Sequence, residues 1–156
     1  MAQYTAVIEQ TLQPGQGVVF TVSDFPCQRG FVRHENNTPT FNLSGACPNQ
    51  KPCGCRNNAT AAIYQVNFSA DIAVATGGTP GEISIGIQQG SAVLPASIAT
   101  VTPTVAEAYF AVAKIIDIPV WRGCCNDISL VNTSTQPITV RRVVIEFTRP
   151  DLLMSY

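Results

Sequence analysis

The chain has 156 residues, about one domain, of which 46% are hydrophobic and only 12% charged, against roughly a quarter charged in an ordinary soluble domain. That much apolar material supports a sandwich-sized core and excludes a disordered chain. Nine basic against ten acidic side chains leave a formal charge of −1, which excludes a generic binder of nucleic acid or anionic membrane.

Turn punctuation and period-two alternation dominate from the start. Gln3 to Glu9 and Gly17 to Ser23 read as strands around the turn Gln13-Pro14-Gly15-Gln16. Phe31 to His34 and Thr40 to Leu43 form two short strands about the turn Asn36-Asn37-Thr38-Pro39, and residues 45–58 are loop throughout. Tyr64 to Val74 is the clearest strand: Tyr64, Val66, Phe68, Ala70, Ile72 and Val74 share one face, while Gln65, Asn67, Ser69 and Asp71 share the other. Thr76 to Gly81 reads as a hairpin turn, followed by Glu82 to Gln88 with Ile83, Ile85 and Ile87 inward. Ala92 to Leu94, Ser97 to Val101, Tyr109 to Val120 and Asp127 to Val131 follow as strands. Pro137 to Thr148 is the last, and its apolar phase shifts at Arg141-Arg142, which predicts a β-bulge. Val105 to Ile115, rich in alanine, is the one competitor for a helix, and Pro103, Pro119 and the lack of a capping box count against it. Eight to ten strands with a turn every 8–12 residues point to an all-β antiparallel sandwich.

Six cysteines are many for a reducing compartment. The opening Met-Ala-Gln-Tyr-Thr shows neither the basic nor the apolar region of a signal peptide, so no leader is expected. No apolar run approaches the ~20 residues that span a bilayer. Cys47, Cys53 and Cys55 share one loop, Cys124 and Cys125 are adjacent, and Cys27 stands near the start. Spacing does not choose among their pairings. Structural disulfides, within or between subunits, are favoured over inert thiols and over a metal site, since zinc favours Cys-x2-4-Cys pairs and neither cluster has one.

The order of the Tyr64–Val74 strand, the glycine-rich turn, the isoleucine strand and a Gln-Gly-Ser-Ala-Val-Leu-Pro turn resembles the jelly-roll domains of the tumour necrosis factor and complement type. It also resembles the jelly-roll tips of spore-surface collagen-like glycoproteins. Three further elements resemble uncharacterised proteins of Firmicutes and their gut phages: Phe41-Asn42-Leu43-Ser44-Gly45, the Pro-x-x-Arg-Gly-Cys-Cys of Pro119 to Cys125, and the Asn-Thr-Ser-Thr-Gln-Pro of Asn132 to Pro137. The resemblance covers Pro39 to Arg149 and implies a homotrimeric, surface-exposed jelly-roll sandwich of structural type. On this reading residues 39–156 form the jelly roll, and residues 1–38 supply N-terminal strands and an anchoring or assembly role within one compact domain.

Catalytic signals are absent. His34 is the single histidine, with no Gly-x-Ser-x-Gly elbow and no His-Glu-x-x-His, and it reads as a surface or subunit-contact residue, with a local Arg33-His34-Glu35 ion pair conceivable. The ten carboxylates are scattered, so neither a glycosidase pair nor a calcium loop (Asp117 with Asp127) is supported. Five Asn-x-Ser/Thr triplets, at Asn36, Asn42, Asn58, Asn67 and Asn132, read as chance in a chain rich in Asn and Thr. Trp121 is the lone tryptophan; a core or subunit-interface position is its commoner fate, and exposure at a loop tip would make it a glycan or protein platform. Tyr109, Phe110 and Ile116 are candidates to pack about a three-fold axis.

The resulting expectation is a non-enzymatic bacteriophage virion protein without cofactor or metal: a capsid-decoration, head-fibre or tail-tip module whose partners are its own copies and other virion proteins. Its place would be the virion surface, outside the cell after release. A disulfide-cross-linked bacterial surface or spore-coat filament and a host-glycan receptor-binding module are the alternatives.

Overall fold

The computed structural model describes residues 2–25, 31–45, 61–121 and 125–150. Among these, twelve strands occur in chain order. They are β1 (Ala2–Ala6), β2 (Gln10–Leu12), β3 (Val22–Phe25), β4 (Val32–His34), β5 (Thr40–Ser44) and β6 (Ala61–Val74), followed by β7 (Ile83–Gln89), β8 (Ala92–Val93), β9 (Ala99–Val101), β10 (Phe110–Trp121), β11 (Cys125–Asn132) and β12 (Ile138–Thr148). They pair antiparallel into two sheets. The first runs β10-β6-β12-β1-β3, with β2 also on β12; the second runs β4-β5-β11-β7-β8, with β9 also on β7. The fold is a jelly-roll β-sandwich.

Strand β6 explains the stacking. Its even positions from Ala62 to Ile72 are buried and the odd positions from Ile63 to Ser69 exposed, so one face enters the core and the other meets solvent. Facing it, Phe41 and Leu43 of β5, Ile83, Ile85 and Ile87 of β7, and Ile128 and Leu130 of β11 are fully buried. Phe41 sits in a ring cluster that ties the sheets together, with centroids 4.8 Å from Tyr4, 5.1 Å from Phe20, 4.2 Å from His34 and 4.9 Å from Phe147.

The bulge expected in the last strand is present. Arg142 has φ 52°, and the register slips between Arg141 and Val144, so Arg142 and Val143 together oppose Ala70. The helix competitor does not form: Glu107 has φ 68°, and strand conformation begins at Phe110. Other expectations are corrected. Thr76 to Gly81 is no hairpin turn, because β6 and β7 lie in different sheets and the turn carries the chain across. A β-carbon on Gly78 would lie 2.6 Å from Val74, which makes the crossing too tight for any side chain there. Of Ser97 to Val101 only Ala99–Val101 is strand, the residues Pro95–Ser97 forming a 3-10 turn. Gly17 to Ser23 is strand only from Val22; before it, isolated bridges join Gly17 to Val131 and Phe20 to Thr38.

The described residues among the first 38 are woven into both sheets. Strand β1 lies between β12 and β3, while β4 edges the second sheet. The motif Asn132 to Pro137 acts as a clasp. Asn132 Nδ2 donates to the carbonyls of Leu12 (3.0 Å) and Gln136 (2.9 Å), and its Oδ1 accepts the Ser134 N–H (2.8 Å). Ser134 Oγ accepts the Ser84 N–H at 2.7 Å, and the Gln136 amide bonds Thr79 through both its oxygen and its nitrogen. This one turn therefore secures β2, β7 and the glycine-rich crossing.

Candidate functional site

Strand β10 is the long edge strand of the first sheet, and it pairs with β6 along its whole length. Its even positions share the phase of buried Val112, Ile118 and Val120, so the odd positions turn outward. There Trp121 stands opposite Ala61, Pro119 opposite Ile63, Asp117 opposite Gln65 and Ile115 opposite Asn67. Trp121 is 59% exposed, Ile115 61% and Ile63 37%. Apart from Asp117 these residues are uncharged. Trp121 is neither a core residue nor a loop tip; it closes a strand and lies open on this face.

The edge of β10 is defended against further strand pairing. Lys114 lies opposite Phe68 in the inward phase yet is exposed, and Pro119 withholds a backbone donor.

Tyr109 and Phe110 do not join this patch. Phe110 opens β10 where Trp121 closes it, about 36 Å along a strand of ~3.3 Å per residue. Phe110 opposes Ile72 in the inward phase and remains 42% exposed. Ile116, also in the inward phase, is half-buried against the core. Tyr109 sits under the Arg141 guanidinium, whose central carbon lies 3.7 Å from the ring centroid, with the Glu9 carboxylate close enough to act on its phenol. Arg141 and Arg142 both reach Asp71, at 3.8 and 3.9 Å.

Burial, then the Glu9 hydrogen bond and charge, push the Tyr109 phenol above the ordinary tyrosine value, against the opposing pull of Arg141. The raised value belongs to the folded state, so the neutral phenol's contribution is complete below about pH 10 and is lost as pH rises through the folded value. Tyr109→Phe is accordingly expected to flatten the alkaline limb of a stability–pH profile, measured by urea denaturation between about pH 8.5 and 11. An unchanged limb would show that Tyr109 does not titrate with folding.

The remaining candidates are dispersed. The side chains of Cys27, Cys47, Cys53, Cys55, Cys124 and Cys125 lie outside the described residues; only the backbone of Cys125 is placed, opposite Ser44 in β11. Asp117 and Asp127 are on different sheets, the latter accepting from Asn42 Nδ2 at 2.8 Å. Among the described residues no group of three His, Cys, Asp or Glu is placed to hold a metal ion, and no helix is long and apolar enough to cross a membrane. Arg33 and Glu35 make no ion pair with His34 among the described residues. Of the Asn-x-Ser/Thr triplets, Asn132 is 1% exposed and held on three sides, which closes it to modification, and Asn58 lies outside the described residues.

Sequence reasoning missed Ile63 and Ile115. Isoleucines occupy both phases of β10, so alternation alone gives no way to tell which face is open.

No protein-family model matches the chain, and no curated protein matches it at a significant level. Solved structures do. The globular domain of zebrafish complement 1qA protein superposes with a TM-score of 0.57 over 93% of this chain and 94% of its own, at 9% identity. That likeness shows the complement-type jelly roll and nothing further. Dimeric latent PorU from Porphyromonas gingivalis aligns with 96% of this chain over 13% of its own length, at a TM-score of 0.42 and 11% identity. A CBM35 from Cellvibrio japonicus Abf62 aligns over 91% of this chain and 97% of its own, at a TM-score of 0.30 and 14% identity. The last two scores are too low to carry an argument.

Proposed function

We propose that the chain is a non-enzymatic structural module that acts by self-association, three copies meeting through the outward face of the β10–β6 pair, and that it decorates a phage particle as a capsid, head-fibre or tail-tip component. The observation that carries the self-association is the row of exposed Ile63, Ile115 and Trp121 on a sheet face whose edge strand carries Lys114 and Pro119 against strand addition. The phage setting rests on the resemblance of the Phe41–Gly45, Pro119–Cys125 and Asn132–Pro137 motifs to phage and Firmicutes proteins. Attachment to a particle through the first 38 residues uses an exposed turn rather than a free arm: Val7 and Ile8, 63% and 68% exposed, project between β1 and β2. The six cysteines contribute disulfides formed after release from the cell. In the cross-linked-filament alternative the same cysteines join neighbouring subunits, and a ladder of covalent oligomers on a non-reducing gel would favour it.

Sedimentation equilibrium tests the assembly. Wild-type protein is expected at three times the 16.7 kDa chain mass, and Ile115→Asp combined with Ile63→Asp at the chain mass with an unchanged circular dichroism spectrum. Both residues lie on the outward face, away from the buried core positions of β6 and β10. Because the contact is apolar and shape-based, the trimer is expected to persist at about 1 M salt, where the Debye length is ~3 Å. A wild-type monomer, or dissociation as salt rises, overturns the reading.

Exposed Trp121 supports a second reading, a platform for host glycan. Binding on a glycan array that disappears with Trp121→Ala, from a wild-type protein that is monomeric, would favour it over assembly.

A further inference from the structure

In the second sheet Phe41, Leu43, Ile87, Ile128 and Leu130 point into the core, so the residues between them turn outward. The register sets these in two rows. Arg33 of β4 lies opposite Asn42 of β5, and Asn42 opposite Asp127 of β11. Beside them Thr40 lies opposite Ser129, and Ser129 opposite Gln88 of β7. Strands β5, β7 and β11 carry no lysine, arginine or glutamate, the long side chains that ordinarily cover a solvent-facing surface. Their outward residues are short hydrogen-bonding groups, and two of them are already held: Asn42 Nδ2 donates to Asp127 Oδ1 at 2.8 Å, and Gln88 Nε2 to the Gly90 carbonyl at 3.0 Å. At the β4 edge the face opens into a groove of about 370 Å³ lined by Arg33, His34, Glu35, Thr38, Thr40 and Asn42, within the ~300–1,000 Å³ range of small-molecule sites. Neither Arg33 nor Glu35 is spent on an ion pair among the described residues.

We propose that this face, with the groove at its edge, is a binding site for a neutral saccharide. A sugar hydroxyl both donates and accepts, and the array answers in both senses. Arg33 and the second hydrogen of the Asn42 amide donate, the Asp127 and Glu35 carboxylates accept, and Thr40 and Ser129 do either. Two carboxylates against one guanidinium disfavour an acidic sugar. The two rows hold no apolar side chain to bury against a protein partner; exposed Val93 lies beyond them, opposite Gln88. Short side chains fixed on strands lose little freedom when a ligand is bound, and the Asn42–Asp127 pair is set before the ligand arrives. The site is on the opposite sheet from Ile63, Ile115 and Trp121, so it depends neither on the trimer nor on a platform at Trp121.

Titration of the intact protein with cellotriose, mannotriose and trigalacturonate, followed in its amide nitrogen-15 spectrum, tests the site. At least one of the two neutral trisaccharides is expected to shift the Arg33, Thr40, Asn42 and Ser129 amides saturably, with a Kd of about 10 mM or tighter, and trigalacturonate to leave them in place. Asp127→Ala and Arg33→Ala, both at exposed positions, are each expected to weaken that binding about tenfold, the scale of one lost hydrogen bond to a charged group. No saturable shift from either neutral sugar, binding of trigalacturonate as tight as theirs, or wild-type affinity in both variants overturns the proposal. Shifts confined to Trp121 and its neighbours overturn it in favour of the Trp121 platform. The mass of the protein in the same sample reports assembly separately.

Discussion

Truncation of Phe41 to alanine is expected to lower the free energy of unfolding by about 3–5 kcal/mol, the range for emptying a large aromatic site in a core. Phe41 is fully buried and belongs to β5 in the second sheet, while Tyr4 and Phe147 against it belong to β1 and β12 in the first. The side chain is therefore a joint between layers, and no neighbour can fill its place without moving a strand. Loss of the ring also removes the stacking surface of His34. Phe41→Leu, which keeps much of the volume, is expected to cost less than half as much. Urea denaturation of both variants checks the ordering, and a loss below about 1 kcal/mol for alanine would mean that the sheets are held elsewhere.

Replacement of Asn132 by leucine is the second large effect, expected at about 2–5 kcal/mol from a side chain of similar size. The loss arises from backbone groups stripped of their partners rather than from volume: the Leu12 carbonyl, at a buried bond, and the Gln136 carbonyl, at a partly buried one, lose their donor, and the partly buried Ser134 N–H loses its acceptor. An unsatisfied buried group costs about 1–3 kcal/mol, and three that share one clasp do not add fully. Asn132→Asp separates the roles. Its carboxylate keeps the bond from Ser134 but faces two carbonyls with no donor to offer, so it is expected to destabilise at neutral pH and to recover in part when protonated in acid. A thermal melt of the aspartate variant that is insensitive to pH would contradict this account of the clasp.

Much of the sandwich was legible because β6 and β7 keep an unbroken alternating row of apolar residues on one face and the chain turns at glycine and proline. The bulge was legible too, as the phase shift from Ile138 and Val140 to Val143, Ile145 and Phe147 survives in the structure as Arg142 at φ 52°. Strand β2 was not legible, since only Leu12 of its three residues is buried. Val18 and Phe20 look like strand residues because both are fully buried, yet their backbone bonds go to Leu130 of β11 and to Thr38 in the turn between β4 and β5. The hairpin reading of Thr76 to Gly81 failed for a related reason: turn chemistry reveals a reversal but not whether the chain returns to the same sheet.

The candidate face was less legible than the fold. Strand β10 carries apolar residues in both phases, with Ile116 and Ile118 in one and Ile115 and Trp121 in the other. Only the pairing with β6 assigns the second set to solvent. Tyr109, adjacent to the same strand, and Phe110, its first residue, lie at its far end, where Tyr109 is covered by Arg141.

Trp121 is the chain's only tryptophan and lies within the proposed contact, so its own fluorescence gives the most direct test of self-association. At concentrations where the protein is a trimer, its emission is expected to be blue-shifted and poorly quenched by acrylamide. Dilution, or Ile115→Asp, is expected to move the emission to the red and open it to quencher together with the fall in mass. Emission that is fully quenchable and unchanged over the whole concentration range, in a protein of monomeric mass, would contradict assembly through this face.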